Sequence, residues 1–128
     1  MSNIKDQVII TYGLDENEIF ELNKAFKGKI SRECIVINED MGKWKLKEIL
    51  IGESEESEKM EFKNEKVVIF NNFPNHILAS SVKKVRSSIE SKPILATVTP
   101  VSINWSFEYL MNHLIEEREY YNNQNNKK

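Results

Sequence analysis

Sliding the 128-residue chain against itself by 59 positions superimposes Val8 on Val67, Ile10 on Ile69, Lys24 on Lys83, Ile30 on Ile89 and Ile35 on Ile94. Two extra residues in the second half then bring Trp44 onto Trp105, Leu46 onto Phe107, Ile49 onto Leu110 and Leu50 onto Met111. Apolar coincidences alone carry little weight, because any two β-α-β units share them by pattern. The Trp match carries more, since the chain has only 2 tryptophans and both fall on one equivalent position. We read this as an internal duplication. It constrains the fold, because a unit of about sixty residues buries too little surface alone and gains by laying a sheet edge or helix face on its copy.

Each half reads β-α-β-α. Val8-Ile9-Ile10-Thr11-Tyr12 is short, rich in β-branched residues and closed by Gly13, which suits a strand buried on both faces. Asp15 precedes Glu18 at capping-box spacing, and Ile19, Leu22 and Phe26 share one helical face before Gly28. Cys34-Ile35-Val36-Ile37 forms the second strand, and a helix containing Trp44, Leu46, Ile49 and Leu50 follows. Val67 to Phe70 restarts the pattern, Pro74 suits a helix first turn, and Leu78, Val82, Val85 and Ile89 trace its apolar stripe. Ile94 to Val98 is the fourth strand; a last helix from about Trp105 to Glu119 turns Phe107, Leu110, Met111 and Leu114 inward.

The expected fold is therefore α/β: duplicated β-α-β-α halves, about 7–51 and 66–119, forming a small, mainly parallel four-stranded sheet covered by helices. A continuous parallel sheet is one way to join them, and a pseudo-twofold join with antiparallel central strands is the other. Residues 1–119 are expected to form one domain. The Glu- and Ser-rich stretch 52–65, with Glu53, Glu55, Glu56, Glu58 and Glu61, reads as an acidic, solvated linker, and 120–128 as a mobile polar tail.

Composition excludes several classes. With 18 Lys plus Arg against 20 Asp plus Glu, a net charge of −2 argues against a phosphate-backbone binder, so no nucleic-acid partner is expected. Cys34 is the single cysteine, which precludes an intramolecular disulfide and suits a reducing compartment. No run of about twenty apolar residues appears, and the start, Met1 to Asp6, lacks an export signal's apolar stretch. The expectation is a cytoplasmic protein with no membrane partner.

Chemistry-bearing patterns are few. Cys34 opens a buried strand without a Cys partner and reads as a core thiol. His113 stands three residues before Glu116 on one helix face, but no second cluster supplies the remaining ligands of a metal site. Lys83, Lys84 and Arg86 read as a solvated helix face. There is no Gly-rich phosphate loop, nucleophile elbow or dinucleotide fingerprint. Catalytic residues, metal and cofactor are therefore all expected to be absent, and an enzyme is the less favoured reading.

In open α/β sheets ligands gather beyond the carboxyl ends of strands. There this chain carries Tyr12, Asn71, Asn72, Thr97 and Thr99, whose polar groups suit a small polar or anionic ligand; the same residue types also make turns and caps. Pro100 fixes the exit from the last strand, Asn104 suits an N-cap, and Trp105, like Trp44, fills space between helix and sheet in preference to stacking on a ligand.

The stretch Thr99-Pro100, a short polar connection, Asn104-Trp105, then Leu110 and Glu116-Glu117-Arg118 resembles a small bacterial family known as domain of unknown function 3783. The strong likeness covers roughly the last 35 residues of the repeat, and the strand and helix from Val67 fit more loosely. The first half departs from it, with Asp40 and Met41 in place of Thr99 and Pro100. The resemblance implies an α/β fold and no known activity. The favoured function is a non-enzymatic protein-interaction or regulatory module with a protein partner or a homodimer, contacting through exposed aromatics such as Tyr109, Tyr120 and Tyr121. The alternative is a small polar or anionic ligand-binding domain using the strand ends.

Overall fold

Two runs of five residues, Val8–Tyr12 (β1) and Val67–Asn71 (β3), carry no charge and are buried along their whole length. That pattern needs cover on both faces, and the fold provides it. A computed structural model describes residues 3–60, 62 and 64–125. Glu61 of the connector and residues 126–128 of the tail lie outside the described residues. The elements follow in the order β1, α1 (Glu16–Ala25), β2 (Ile35–Ile37), α2 (Leu46–Ile51), β3, α3 (Asn75–Ser88), β4 (Ile94–Thr97), a 3₁₀ turn (Ser102–Asn104) and α4 (Phe107–Asn125).

The strands form one sheet in the order β2-β1-β3-β4. β1 pairs with β2 and β3 with β4 in parallel, but β1 and β3 at the centre are antiparallel. The sheet is thus mixed, and the continuous parallel sheet is not formed. The central register explains why this join works. Ile10 faces Ile69, while Ile9 faces Phe70 and Thr11 faces Val68, so each strand turns the same set of side chains to the same side. Ile9, Val68 and Phe70 pack with Leu22 of α1, Phe26 at its end and Val85 of α3. Val8, Ile10, Tyr12, Val67 and Ile69 pack with Leu46, Ile49, Leu50, Phe107 and Met111 of α2 and α4. The result is three layers, with a helix pair on each face of the sheet.

Relative to their strand neighbours, the outer strands depart from the 59-residue offset. Ile10 is opposite Ile35, whereas Ile69 is opposite Ala96, so the structural counterpart of Ile35 is Ala96 and not Ile94.

Helix ends follow local chemistry. Asp15 caps α1 and Glu18 returns the bond to the Asp15 N–H, which completes the capping box read from the sequence. α2 begins at Leu46 and α4 at Phe107, so both tryptophans stand just outside their helices. Ser106, not Asn104, caps α4, its Oγ accepting from the Tyr109 N–H at 3.1 Å. Asn104 lies in the 3₁₀ turn with its side chain exposed.

The acidic connector is more than a solvated linker. Met60 is buried, and its N–H donates to the Glu39 carbonyl at 3.0 Å. The Trp44 indole donates to the Glu56 carbonyl at 2.8 Å, and Glu58 bridges to Met41. Nor does α4 stop at Glu119; it continues through the polar stretch to Asn125.

Candidate interaction surface

The residues at the strand ends fall at both ends of the sheet. Because the central strands run in opposite directions, Tyr12 lies opposite Val67 while Asn71 lies opposite Val8, at the far end of the sheet. Four residue steps along a strand separate them by about 13 Å. Tyr12 is buried against Phe62 and Phe107; burial and Glu39 hold its phenol above the usual range, despite a backbone hydrogen bond with Phe62. At the other end the amides are occupied by the chain's own N-terminal segment. Asn71 Nδ2 donates to the Ile4 and Asp6 carbonyls, at 2.9 and 2.8 Å, and Asn72 Nδ2 to the Lys5 carbonyl at 2.6 Å. Thr99 and Ser102 satisfy one another through reciprocal bonds between hydroxyl and backbone N–H. Thr97, Thr99 and Pro100 are exposed at this same end, where the β4 strand gives way to the 3₁₀ turn.

The other titratable candidates are equally local. Burial, opposed by a backbone hydrogen bond and aided by Glu33, pushes the Cys34 thiol up to about 11, so it stays protonated at neutral pH. His113 pairs with Glu117 at 3.0 Å instead of with Glu116. Among the described residues, no group of three or more His, Cys, Asp or Glu side chains is placed to hold a metal ion. No described helix is long and apolar enough to cross a membrane.

What the structure does assemble is an aromatic face along α4. Trp105, half-buried against the core, meets Tyr109 edge-on at 4.8 Å and His113 at 5.4 Å between ring centroids. The spacing of four residues stacks these rings on one side of the helix. Further along, Tyr120 and Tyr121 contact one another at 5.9 Å and border a shallow depression of about 540 Å³ with His113, Glu116 and Glu117. Tyr109, Tyr120 and Tyr121 are 55%, 61% and 65% exposed. Inward, the helix is anchored by Phe107, Leu110 and Met111, and at its middle by Arg118, which grips Glu65 through two bonds of 2.7 and 2.8 Å. Arg118 holds the Glu65 carboxyl below its ordinary range against the opposing effect of burial.

Residues 66–121 match the family model of the domain of unknown function DUF3783. The matched segment therefore spans β3, α3, β4 and most of α4, including Thr99, Pro100, Asn104, Trp105 and the aromatic face as far as Tyr121. The match begins well ahead of the segment that carries the resemblance most strongly. No curated protein and no solved structure matches the chain.

Sequence reasoning missed Ser106 as the cap, Met60 as a core residue and the grip of Arg118 on Glu65. A Ser directly before the apolar run of α4 was a legible signal, but Asn104 competed for the same role. No local pattern announces an ion pair across 53 positions.

Proposed function

We propose that this chain is a non-enzymatic protein-interaction or regulatory module whose contact surface is the exposed aromatic face of the matched segment's last helix. One observation carries the reading: beyond Ile115, α4 continues for ten residues to Asn125, and its large side chains there are the exposed Tyr120 and Tyr121. Arg118 ties this stretch to Glu65, while the Tyr side chains beside it stay exposed, and exposed Tyr is characteristic of contact surfaces. A partner's surface, or that of a second copy, would stabilise this end. The single cysteine suits a cytoplasmic setting, and the charge balance disfavours nucleic acid.

We further propose that the scaffold arose by duplication. Three features support it besides the tryptophans. Positions 59 apart share a positive φ at Gly13 and Asn72, an N-cap at Asp15 and Pro74, and a self-paired register at Ile10 and Ile69.

Native mass spectrometry of the full chain purified from its host tests the interaction reading. A homodimer or a stable complex that is lost in the Tyr109→Ala/Tyr120→Ala/Tyr121→Ala variant is expected. A complex untouched by the triple change, or a bare monomer that gains no partner on cross-linking in the host, would refute it.

A further inference from the structure

At the edge of the sheet, Val36 is the middle residue of β2 and is 53% exposed. Among the described residues no strand pairs with β2 on its outer side, which leaves that edge of the sheet open. The opposite edge differs, because the long α4 lays Leu114 and Tyr121 beside Ile94 and Leu95 of β4. α2, which ends at Ile51, packs against a face of β2 and leaves Val36 exposed. Beside β2, α1 presents Ile19 and Phe20, the latter 61% exposed.

Two depressions meet here, sharing Phe20 and Asn23. One, of about 360 Å³, is mainly apolar, lined by Leu14, Ile19, Phe20 and Val36, with Glu16 at its margin. The other, of about 550 Å³, is bordered by Phe20 and Ile30 but also by Lys24, Lys27, Glu33 and Arg32, the last paired with Asp6. Lys29 adjoins the second depression in sequence and crowds Lys84 of α3, whose ammonium is held below its ordinary range as a result. Among the described residues, Lys24, Lys27, Lys29 and Lys84 form no ion pair with a carboxylate. In a chain of net charge −2, this corner is a local concentration of positive charge next to an apolar groove and an open strand edge.

We infer that the β2 edge and its groove bind an extended acidic-apolar segment of a partner protein. Its backbone adds a strand outside β2, an apolar side chain sits between Phe20 and Val36, and carboxylates lie beside Lys24 and Lys27. Strand addition supplies backbone hydrogen bonds without regard to sequence, and the pocket and the cations supply the selectivity. This surface lies on α1 and β2, apart from the aromatic face of α4, so the two proposals fail separately.

A random decapeptide library displayed on phage and panned on the full chain tests the inference. The expected outcome is enrichment of sequences in which apolar residues alternate with Asp or Glu. A synthetic peptide of the enriched sequence should bind saturably by fluorescence anisotropy and weaken about tenfold with Val36→Lys. Binding should also weaken with Lys24→Glu/Lys27→Glu and with rising salt. Tyr109→Ala/Tyr120→Ala/Tyr121→Ala should leave it unchanged. Thermal melts confirm that the variants fold, and Phe20→Ser replaces Val36→Lys if that variant does not. No enrichment, enrichment of neutral or basic sequences, or binding indifferent to these groove changes would overturn the inference. Concentration-dependent self-association abolished by Val36→Lys would also overturn it, in favour of a second copy on this edge.

Discussion

Trp44 and Trp105 hold reciprocal positions across the junction of the two halves. The Trp105 carbonyl accepts from the Leu46 N–H at 3.0 Å, and the Trp44 carbonyl accepts from the Phe107 N–H at 2.8 Å. Lys45 and Ser106, between these bonds, form an antiparallel bridge. The counterparts are related by 61 positions, the offset that also relates Ile35 to Ala96. This small ladder at the start of α2 and α4 thus joins residues 44–46 to residues 105–107, in addition to the pairing of the central strands.

The first amides of a helix ordinarily lack an intrahelical partner and exchange freely with water. Here Leu46 and Phe107, the first residues of α2 and α4, are fully buried and bonded across the junction. Their amides should exchange with free energies within about 1 kcal/mol of those of β1 and β3, which mark global unfolding. Hydrogen exchange followed by NMR reads this directly. Rapid exchange at either amide would show that the ladder opens locally.

Gly13 and Gly28 share a left-handed backbone, with φ of +82° and +87°, but differ in surroundings. A Cβ on Gly13 would lie 2.2 Å from the Glu65 carbonyl oxygen, whereas one on Gly28 meets nothing within 4 Å. Gly28→Ala should cost about 1 kcal/mol of backbone strain. Gly13→Ala must also displace backbone and should cost about 3 kcal/mol or more. Urea denaturation of the two variants separates the contributions.

Glu18 and Glu65 give the fold an acid-sensitive component. Burial would raise the Glu18 carboxyl, but the Ser91 hydroxyl, the Asp15 N–H and Lys66 together bring it below its ordinary value of 4.5. Arg118 lowers Glu65 in the same sense. A carboxyl depressed in the folded state binds fewer protons there than in the unfolded chain. Its stabilisation is therefore present above pH 4.5 and is lost as pH falls through the folded-state value. Unfolding free energy measured in urea should decline below pH 4.5, and Glu18→Gln and Glu65→Gln should each flatten that decline.

Much of this architecture was legible because it rests on local pattern. Uncharged β-branched runs marked β1 and β3, and the Asp15–Glu18 spacing marked a helix start that the structure reproduces. What was hidden depends on distant partners. The direction of β3 relative to β1 leaves no trace in either strand, since both are buried on both faces. That direction places Tyr12 and Asn71 at opposite ends of the sheet. Phe73, which meets Phe70 edge-on at 5.0 Å between ring centroids, stands between Asn72 and Pro74, where turn chemistry masks a core residue.

Met60 shows the same effect most sharply. It lies among charged residues in a stretch whose composition signals solvent, yet it is 2% exposed and contacts the spot where a Cβ on Gly42 would fall 2.8 Å from its own Cβ. Gly42 is thus small where the connector crosses, and Met60 fills the space beside the α2 and α4 core. Met60→Ala should cost about 2–4 kcal/mol, a value typical of a core residue. Glu55→Ala, at an exposed position five residues earlier, should change stability by less than about 0.5 kcal/mol. Equal, small effects in denaturant titrations would mean that the connector floats free of the core; a large difference would make it a structural strap.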